Sequence, residues 1–331
     1  MKIGILSVAH PHALSYAQAL TNHSDASLIG IADADAARGI ATADRFGTVY
    51  YPSTAALLNT GLDGVIVTSE NARHRELVET AARAGVKAIL CEKPLATTAE
   101  DARAMIAVCA AQGVRLATAF PCRYSPAFRR LREQVQSGAV GEVLAIRGTN
   151  RGSLPSAEWF TTPSLSGGGA VIDHTVHVAD LNRLLLGREA TEVFAETGNG
   201  FHGKDWEDTG FLTIGYEGGV FATVDTSWSR PKTYPTWGDV TLQVVGTGGV
   251  LDVDLFAQNI VHYDDTAGRI AWSNWGSGTD AGLVADFLRL AAGEEADDLA
   301  TGEDGLRALQ VALAAYRSAE LGQPVAVMIN D

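Results

Sequence analysis

Over the first 120 residues, short apolar runs alternate with amphipathic stretches. Lys2–Leu6, Ser27–Asp33, Gly64–Thr68, Ala88–Cys91 and Arg115–Ala119 lack in–out alternation, which predicts strands buried on both faces. Between them, His12–Asn22, Asp35–Phe46, His74–Ala84 and Thr98–Gln112 carry apolar residues at helical spacing. Asp35 is placed to cap one helix, and Gly85 and Gly113 to stop two others. Buried strands separated by helices predict a doubly wound parallel sheet, with ligands at the carboxyl ends of its strands.

The pattern changes after Phe120-Pro121. Ser125–Ser137 reads as a basic amphipathic helix and Glu142–Asn150 as a long strand. A glycine run, Gly167–Gly169, leads into a helix over Ala170–Leu186. Strands follow at Thr191–Thr197, Thr209–Tyr216, Val220–Ser227, Asp239–Val245, Val250–Val253 and Asn259–Tyr263, with hairpin turns at Glu217–Gly219 and Gly246–Gly249. Helices near Gly282–Ala292 and Gly302–Leu321 close the chain. This predicts an α/β domain over 1–121 and an α+β domain over 122–331, with a mostly antiparallel sheet and a cleft between the two. The 331 residues suffice for two cores.

Composition narrows the partners. Residues 1–121 hold 10 Lys/Arg against 11 Asp/Glu, and residues 122–331 hold 15 against 28. The acidic second half argues against nucleic acid and anionic membranes and leaves a small molecule as the expected partner. No run approaches the roughly 20 apolar residues of a membrane span, and the first residues lack the apolar core of a signal peptide. Three cysteines, Cys91, Cys109 and Cys122, form no metal or disulfide pattern, which points to a reducing, cytoplasmic compartment.

Three motifs carry candidate chemistry. After the first strand, a dinucleotide fingerprint places glycines where Ser7, Ala9 and His12 stand. Asp33, ending the second strand, is placed to bind a ribose 2′-hydroxyl and so favours NAD over NADP, with NADP still possible. Lys93, in Glu92-Lys93-Pro94, ends another strand, where its ammonium can stabilise a developing alkoxide. Asp173 and His177 are four apart and share one helix face, so the carboxylate is expected to orient the imidazole and raise its basicity. His174 shares that stripe less fully. The helix start offers free N–H groups beside the glycine run. Taken alone, each motif also reads as a strand-end residue or a surface pair.

In this order, Ile31-Ala32-Asp33, Val65–Thr68, His74–Leu77, Glu92–Leu95, Ser137–Val143, the Gly167–His177 block and Gly302–Pro324 resemble the glucose–fructose oxidoreductase/inositol dehydrogenase (Gfo/Idh/MocA) family along nearly the whole chain. The resemblance implies a Rossmann domain and an α+β domain whose open sheet makes a homodimer or homotetramer. It also implies hydride transfer between NAD(P) and a sugar or polyol hydroxyl. Lys93 and His177 would contact that hydroxyl, His177 taking its proton, and Asp173 would hold substrate and His177. The cofactor cleft would be lined by Ser7, Ala9, His10, His12, Asp33, Ser69, Asn71, His74, Glu92 and Lys93. Between Thr68 and His74 the chain is one residue longer than the family pattern. Arg123, Arg151, Trp159 and His174 are candidates for binding substrate, and the loop from Ser227 to Asp239 for overhanging it.

Two other classes compete. A cofactor-binding sensor without turnover fits the altered fingerprint but has no use for Lys93, Asp173 and His177. A metal hydrolase would use His10-Pro11-His12, with His174, His177 and Asp173 as further ligands, but needs a barrel rather than a doubly wound half. No metal is expected. Transient oxidation by a retained cofactor is a variant of the leading reading.

Overall fold

The computed structural model describes residues 1–274 and 278–328. The first half contributes strands β1 (Lys2–Leu6), β2 (Ser27–Ala32), β3 (Val49–Tyr51), β4 (Gly64–Val67), β5 (Ala88–Cys91) and β6 (Arg115–Thr118). They pair in parallel in the order β3-β2-β1-β4-β5-β6. Helices α1 (His12–Thr21), α2 (Ala36–Phe46), α3 (Thr54–Leu58), α4 (His74–Arg83) and α5 (Ala99–Gln112) join them. The order reverses between β1 and β4, the crevice where this architecture binds ligands. Every residue of β4 and β5 is buried, as their unbroken apolar runs predict. Asp35 caps α2 by accepting from the Arg38 N–H at 3.1 Å, and Thr98 caps α5 in the same way. In this half, β3 and α3, three and five residues long, went unpredicted; neither is long enough to display a period.

The second half adds β7 (Val143–Gly152), β8 (Ala190–Gly198), β9 (Thr209–Tyr216), β10 (Phe221–Ser227), β11 (Gly238–Gly246) and β12 (Gly249–Asp254). A hairpin, β13 (Asn259–Asp264) and β14 (Arg269–Asn274), stands apart, and β15 (Val325–Ala326) completes the large sheet. Its order is β12-β11-β7-β10-β9-β8-β15, antiparallel except for the β7–β10 pair. The helices here are α6 (Pro126–Gln136), α7 (Pro163–Ser166), α8 (Ala170–Leu186), α9 (Thr279–Ala292) and α10 (Gly302–Leu321). Residues of β9 and β10 alternate: Leu212, Ile214, Ala222 and Val224 are buried, whereas Phe211 and Phe221 are exposed on the opposite, open face. Helices α8 and α10 pack together, and α8 lies against β7 and β10.

Helix α9 does not follow the sequence division at 121/122. Its Leu283, Val284, Phe287 and Leu288 share a core with Ile3, Ile5, Tyr16 and Leu20, so the chain returns to the first sheet after building the second. Among the described residues, no helix is long and apolar enough to cross a membrane. All three cysteines are buried and free.

Candidate active site

The loop after β1 is built around Ser7, which sits at φ +66° where a glycine is expected. That conformation costs a side chain about 1–2 kcal/mol. Ser7 offsets it with contacts: its N–H donates to Ala32 O at 2.6 Å, its carbonyl accepts from Thr68 Oγ1 at 2.6 Å, and its Oγ lies 3.3 Å from Asp33 Oδ2. The N–H groups that could cradle a pyrophosphate are bonded within the protein. Val8 donates to Asp33, Ala9 to Ser7 Oγ, His10 to Thr68 O and His12 to Nδ1 of His10. Pro11 has none to give.

Asp33 also receives a two-pronged contact from Arg38, at 3.1 and 2.8 Å. A hollow of about 190 Å³ opens beside it, lined by Ser7, Ala32, Pro52, Ser53 and Arg73 among others. A strand-end carboxylate beside a small hollow fits the ribose end of a dinucleotide. Ser69, Asn71 and His74 were expected in this cleft, but most of their polar atoms are committed elsewhere. Ser69 Oγ donates to Glu70 O, Asn71 Nδ2 donates to Ser166 O, and the fully buried His74 ring lies between Ser69 O and the carbonyls of Pro94 and Leu95. Of the side-chain polar atoms of these three residues, Asn71 Oδ1 is buried without a partner among the described residues.

A larger cavity, about 440 Å³, lies between the two halves. Lys93 enters it from the end of β5, and Asp173, His174 and His177 from α8. His10, His12, Phe160, Trp237, Phe256 and Asp280 complete much of the wall. Lys93 Nζ reaches Asp173 Oδ1 at 2.5 Å. Asp173 Oδ2 accepts from Trp228 Nε1 at 3.2 Å and lies 3.2 Å from His174 Nε2. Burial opposes ionisation of Asp173, but Lys93 and His174 outweigh it and hold its carboxyl well below the usual range.

The expected pairing of Asp173 with His177 is therefore corrected. The carboxylate turns to Lys93, His174 and Trp228, while His177 Nδ1 faces Cys122 Sγ at 3.9 Å and the ring packs edge-on against Phe120. Burial, reinforced by the Lys93 charge, pushes the His177 pKa well below 6.5 instead of raising it. Sharing a helix face did not decide the contact, because a stronger cation reaches Asp173 from across the cleft.

Opposite α8, Glu92 is fully buried at the end of β5. His12 Nδ1 lies 2.9 Å from Glu92 Oε1, Tyr16 donates to the same oxygen at 2.6 Å, and the Lys93 N–H donates to Oε2 at 2.9 Å. Burial disfavours a charged Glu92, yet His10, His12 and Lys93 hold its pKa below the ordinary value. Burial likewise opposes protonation of His12, and the Glu92 carboxylate overcomes it, so the His12 pKa is raised. His10 behaves oppositely: burial pushes it down to about 3. Tyr16 carried no motif and was missed; its signal is only its position, one helical turn after His12.

The hydrolase alternative placed a metal at His10 and His12. Donor atoms of His10, His12 and Glu92 do lie within 4.8 Å of one another. Nδ1 of His10, Nδ1 of His12 and Oε1 of Glu92 are already engaged within the protein, whereas His10 Nε2 is buried without a partner among the described residues; the chain forms a doubly wound sheet rather than the barrel that reading needs.

Three substrate candidates lie away from the cavity wall. Arg123 is buried against Asp180, its Nε and Nη2 donating to the carboxylate at 2.7 and 2.5 Å and its Nη1 to Asp298 O, and Asp304 lies nearby. Arg151 pairs with Asp239 and Asp225 on the sheet, at a separate hollow. Strand alternation explains it: Asn150 and Gly152 are buried, and Arg151 points the other way. Trp159 stacks on Phe160 at 3.9 Å and donates to Ala9 O, clamping the β1 loop. His174 does line the cavity, as does Trp237 from the predicted overhanging loop.

The glycine run serves packing. Glu207 Oε1 accepts from Gly169 N at 2.8 Å and Val171 N at 3.1 Å, and Tyr316 donates to the same oxygen, so the start of α8 is capped by the protein's own carboxylate. A Cβ on Gly169 would meet the Glu207 carbonyl at 2.1 Å.

Residues 3–120 match the oxidoreductase family with an NAD-binding Rossmann fold, and residues 128–252 match the GFO/IDH/MocA C-terminal domain. The chain is 31% identical over 273 residues to 1,5-anhydro-D-fructose reductase of Ensifer adhaerens, covering 79% of each. It belongs to the Gfo/Idh/MocA oxidoreductase family. Myo-inositol 2-dehydrogenase of Thermotoga maritima is 28% identical, over 97% of this chain and 96% of its own. Among solved structures, GenD2 from gentamicin A biosynthesis in complex with NAD superposes with a TM-score of 0.90 at 26% identity, over 99% of this chain and 96% of that one. The chain is thus an NAD-binding oxidoreductase of a family whose members act on sugars and polyols.

Proposed function

We propose that this member dehydrogenates a secondary hydroxyl of a sugar or polyol, with bound NAD accepting the hydride and Lys93 and His177 at the reacting oxygen. The observation that carries this reading is the Lys93–Asp173 contact across the cleft, with His177 lining the same cavity. The Lys93 ammonium, held in place by the Asp173 carboxylate, can donate to an oxygen gaining negative charge. His177, kept neutral by burial, has a ring nitrogen free to accept the hydroxyl's proton. Phe160, Trp237 and Phe256 give the cavity apolar walls, and among the described residues no arginine lines it, which suits an uncharged ring bearing hydroxyls better than a sugar phosphate. The names of the relatives, an anhydrofructose reductase and an inositol dehydrogenase, agree with that class. Asp33, the hollow beside it and the β1 loop would hold NAD. We further propose that copies associate through the open face of the large sheet. The test is purified protein with NAD and a panel of inositols and sugars, followed at the reduced-nicotinamide absorbance. Lys93→Ala is expected to abolish turnover with NAD affinity largely kept; full activity in that variant would sink the assignment.

A further inference from the structure

His12 stands where the fingerprint has its third glycine, in the expected cofactor cleft, and its ring also lines the cavity beside Lys93 and His177. Its geometry is that of a carboxylate-backed imidazole. Nδ1 is held by Glu92 at 2.9 Å, and Glu92 is itself fixed by Tyr16 and the Lys93 N–H. A carboxylate on one ring nitrogen fixes the tautomer and leaves the other as the free base. The ring is 34% exposed and lines the cavity, while Glu92 on its Nδ1 side is fully buried. Among the described residues Nε2 has no partner.

The other cavity histidines lack this combination. His177 is buried with no carboxylate on it, His10 is buried with Nδ1 accepting from the His12 N–H, and His174 Nδ1 is bound to Asn150 O. Only His12 joins a carboxylate partner to contact with solvent.

We propose that His12, backed by Glu92, is the net acceptor of the proton released in the cavity and its outlet to solvent. The inference rests on the dehydrogenase reading. In balance, the substrate C–H bond breaks and its hydride leaves to NAD, a C=O bond forms, and the hydroxyl proton ends on His12 Nε2. His177 touches that proton first but holds it poorly, because burial and Lys93 disfavour its charged form. The groups facing His12 are Glu92 and Lys93 from the end of β5, Asp280 from α9, Tyr16 from its own helix and His10 from the loop; His177 also feels its charge. Glu92 and Asp280 favour its protonation and Lys93 opposes it.

The wild-type pH profile separates the two bases without any variant. An acceptor must start deprotonated, so kcat/KM falls on the acid side at the acceptor's pKa. His12 as acceptor places that limb above 6.5; His177 alone places it well below. His12→Ala is expected to lower kcat/KM at least tenfold at pH 7, move the limb below 6.5, and regain rate with added imidazole. A readout independent of turnover is the nitrogen NMR titration of the His12 ring in the NAD-free protein, expected above 6.5 and lowered in Glu92→Gln. Should that variant not fold, the wild-type titration and His12→Ala still decide. A wild-type limb below 6.5, unchanged rate in His12→Ala, or a defect that imidazole cannot restore overturns the role of His12 and leaves the dehydrogenase intact. A wild type that turns over no member of the panel overturns both.

Discussion

Lys93 Nζ and Asp173 Oδ1 meet at 2.5 Å although 80 positions separate the residues, one ending a strand of the first sheet and the other in the first turn of α8. The contact joins the two halves at the centre of the cavity. Asp173→Asn leaves a buried ammonium without its counter-charge, an effect worth about 3–5 kcal/mol. It is expected to cut kcat about 10²-fold or more and to lower the urea midpoint, with NAD affinity little changed. The folded pKa of Asp173 is depressed, so its stabilisation is present above the unfolded value near 3.8 and is lost as pH falls below it. Wild type and Asp173→Asn should therefore converge in stability under strongly acidic conditions. A constant gap between their urea midpoints from pH 7 to pH 2.5 would contradict the assignment.

How much of this was legible in the sequence follows from what each feature depends on. Strands β4 and β5 were readable because burial on both faces leaves unbroken apolar runs. That Lys93, Asp173 and His177 line one cavity was legible through the family resemblance, since each motif taken alone also reads as a strand-end residue or a surface pair. The partner of Asp173 was not, because helical spacing lists neighbours without ranking them against a cation from another domain. Arg151 was misplaced for a related reason: one step along β7 moves a side chain to the opposite face of the sheet, and the sequence marks that parity weakly where polar Thr149 and Asn150 precede it. The return of α9 to the first core left no local trace, since its apolar stripe fits either half.

His10 supplies a second pH dependence, of opposite origin. Its folded pKa, about 3, lies below the unfolded 6.5. Between those values the unfolded chain binds the extra proton, so stability falls as pH drops from 6.5 towards 3, by about 1.4 kcal/mol per pH unit for one such group. His177 acts in the same direction. His12 is the reverse case: its contribution is present below 6.5 and is lost as pH rises through its raised folded value. Urea unfolding between pH 4 and 6.5 should show a shallower slope in His10→Asn than in wild type, and equal slopes would refute a neutral buried His10.

The cofactor end turns on Asp33, whose oxygens bind the Val8 and Asp35 N–H groups and the Arg38 guanidinium. Asp33→Ala removes the acceptor expected to bind a ribose hydroxyl and frees Arg38. Calorimetry should show NAD binding weakened about 10- to 100-fold, as for loss of a hydrogen bond to a charged group. Binding of NADP should weaken less or improve, because the repelling carboxylate has gone and Arg38 is available to its phosphate. Unchanged discrimination between the two cofactors would place their selection elsewhere.

The open face of the large sheet carries Phe211 at 60% and Phe221 at 49% exposure, on neighbouring antiparallel strands. The opposite face of the same strands is buried, so the two rings are not core residues displaced by a local irregularity. They follow the strict alternation of β9 and β10, which the sequence maintains with small or polar residues, Thr213 and Thr223, between them. A sheet in a monomer gains nothing from large aromatic side chains on its solvent face, whereas a second copy laid on that face buries them. Light scattering on purified protein is expected to give a mass of two or more chains at micromolar concentration. Phe211→Lys with Phe221→Lys should shift it to one chain while the circular dichroism spectrum stays unchanged, since neither side chain contributes to a core. Neither Phe211 nor Phe221 lines the cavity or the hollow beside Asp33, so the monomeric variant should retain NAD binding. A wild-type protein that remains a single chain under these conditions would show that the face has another use.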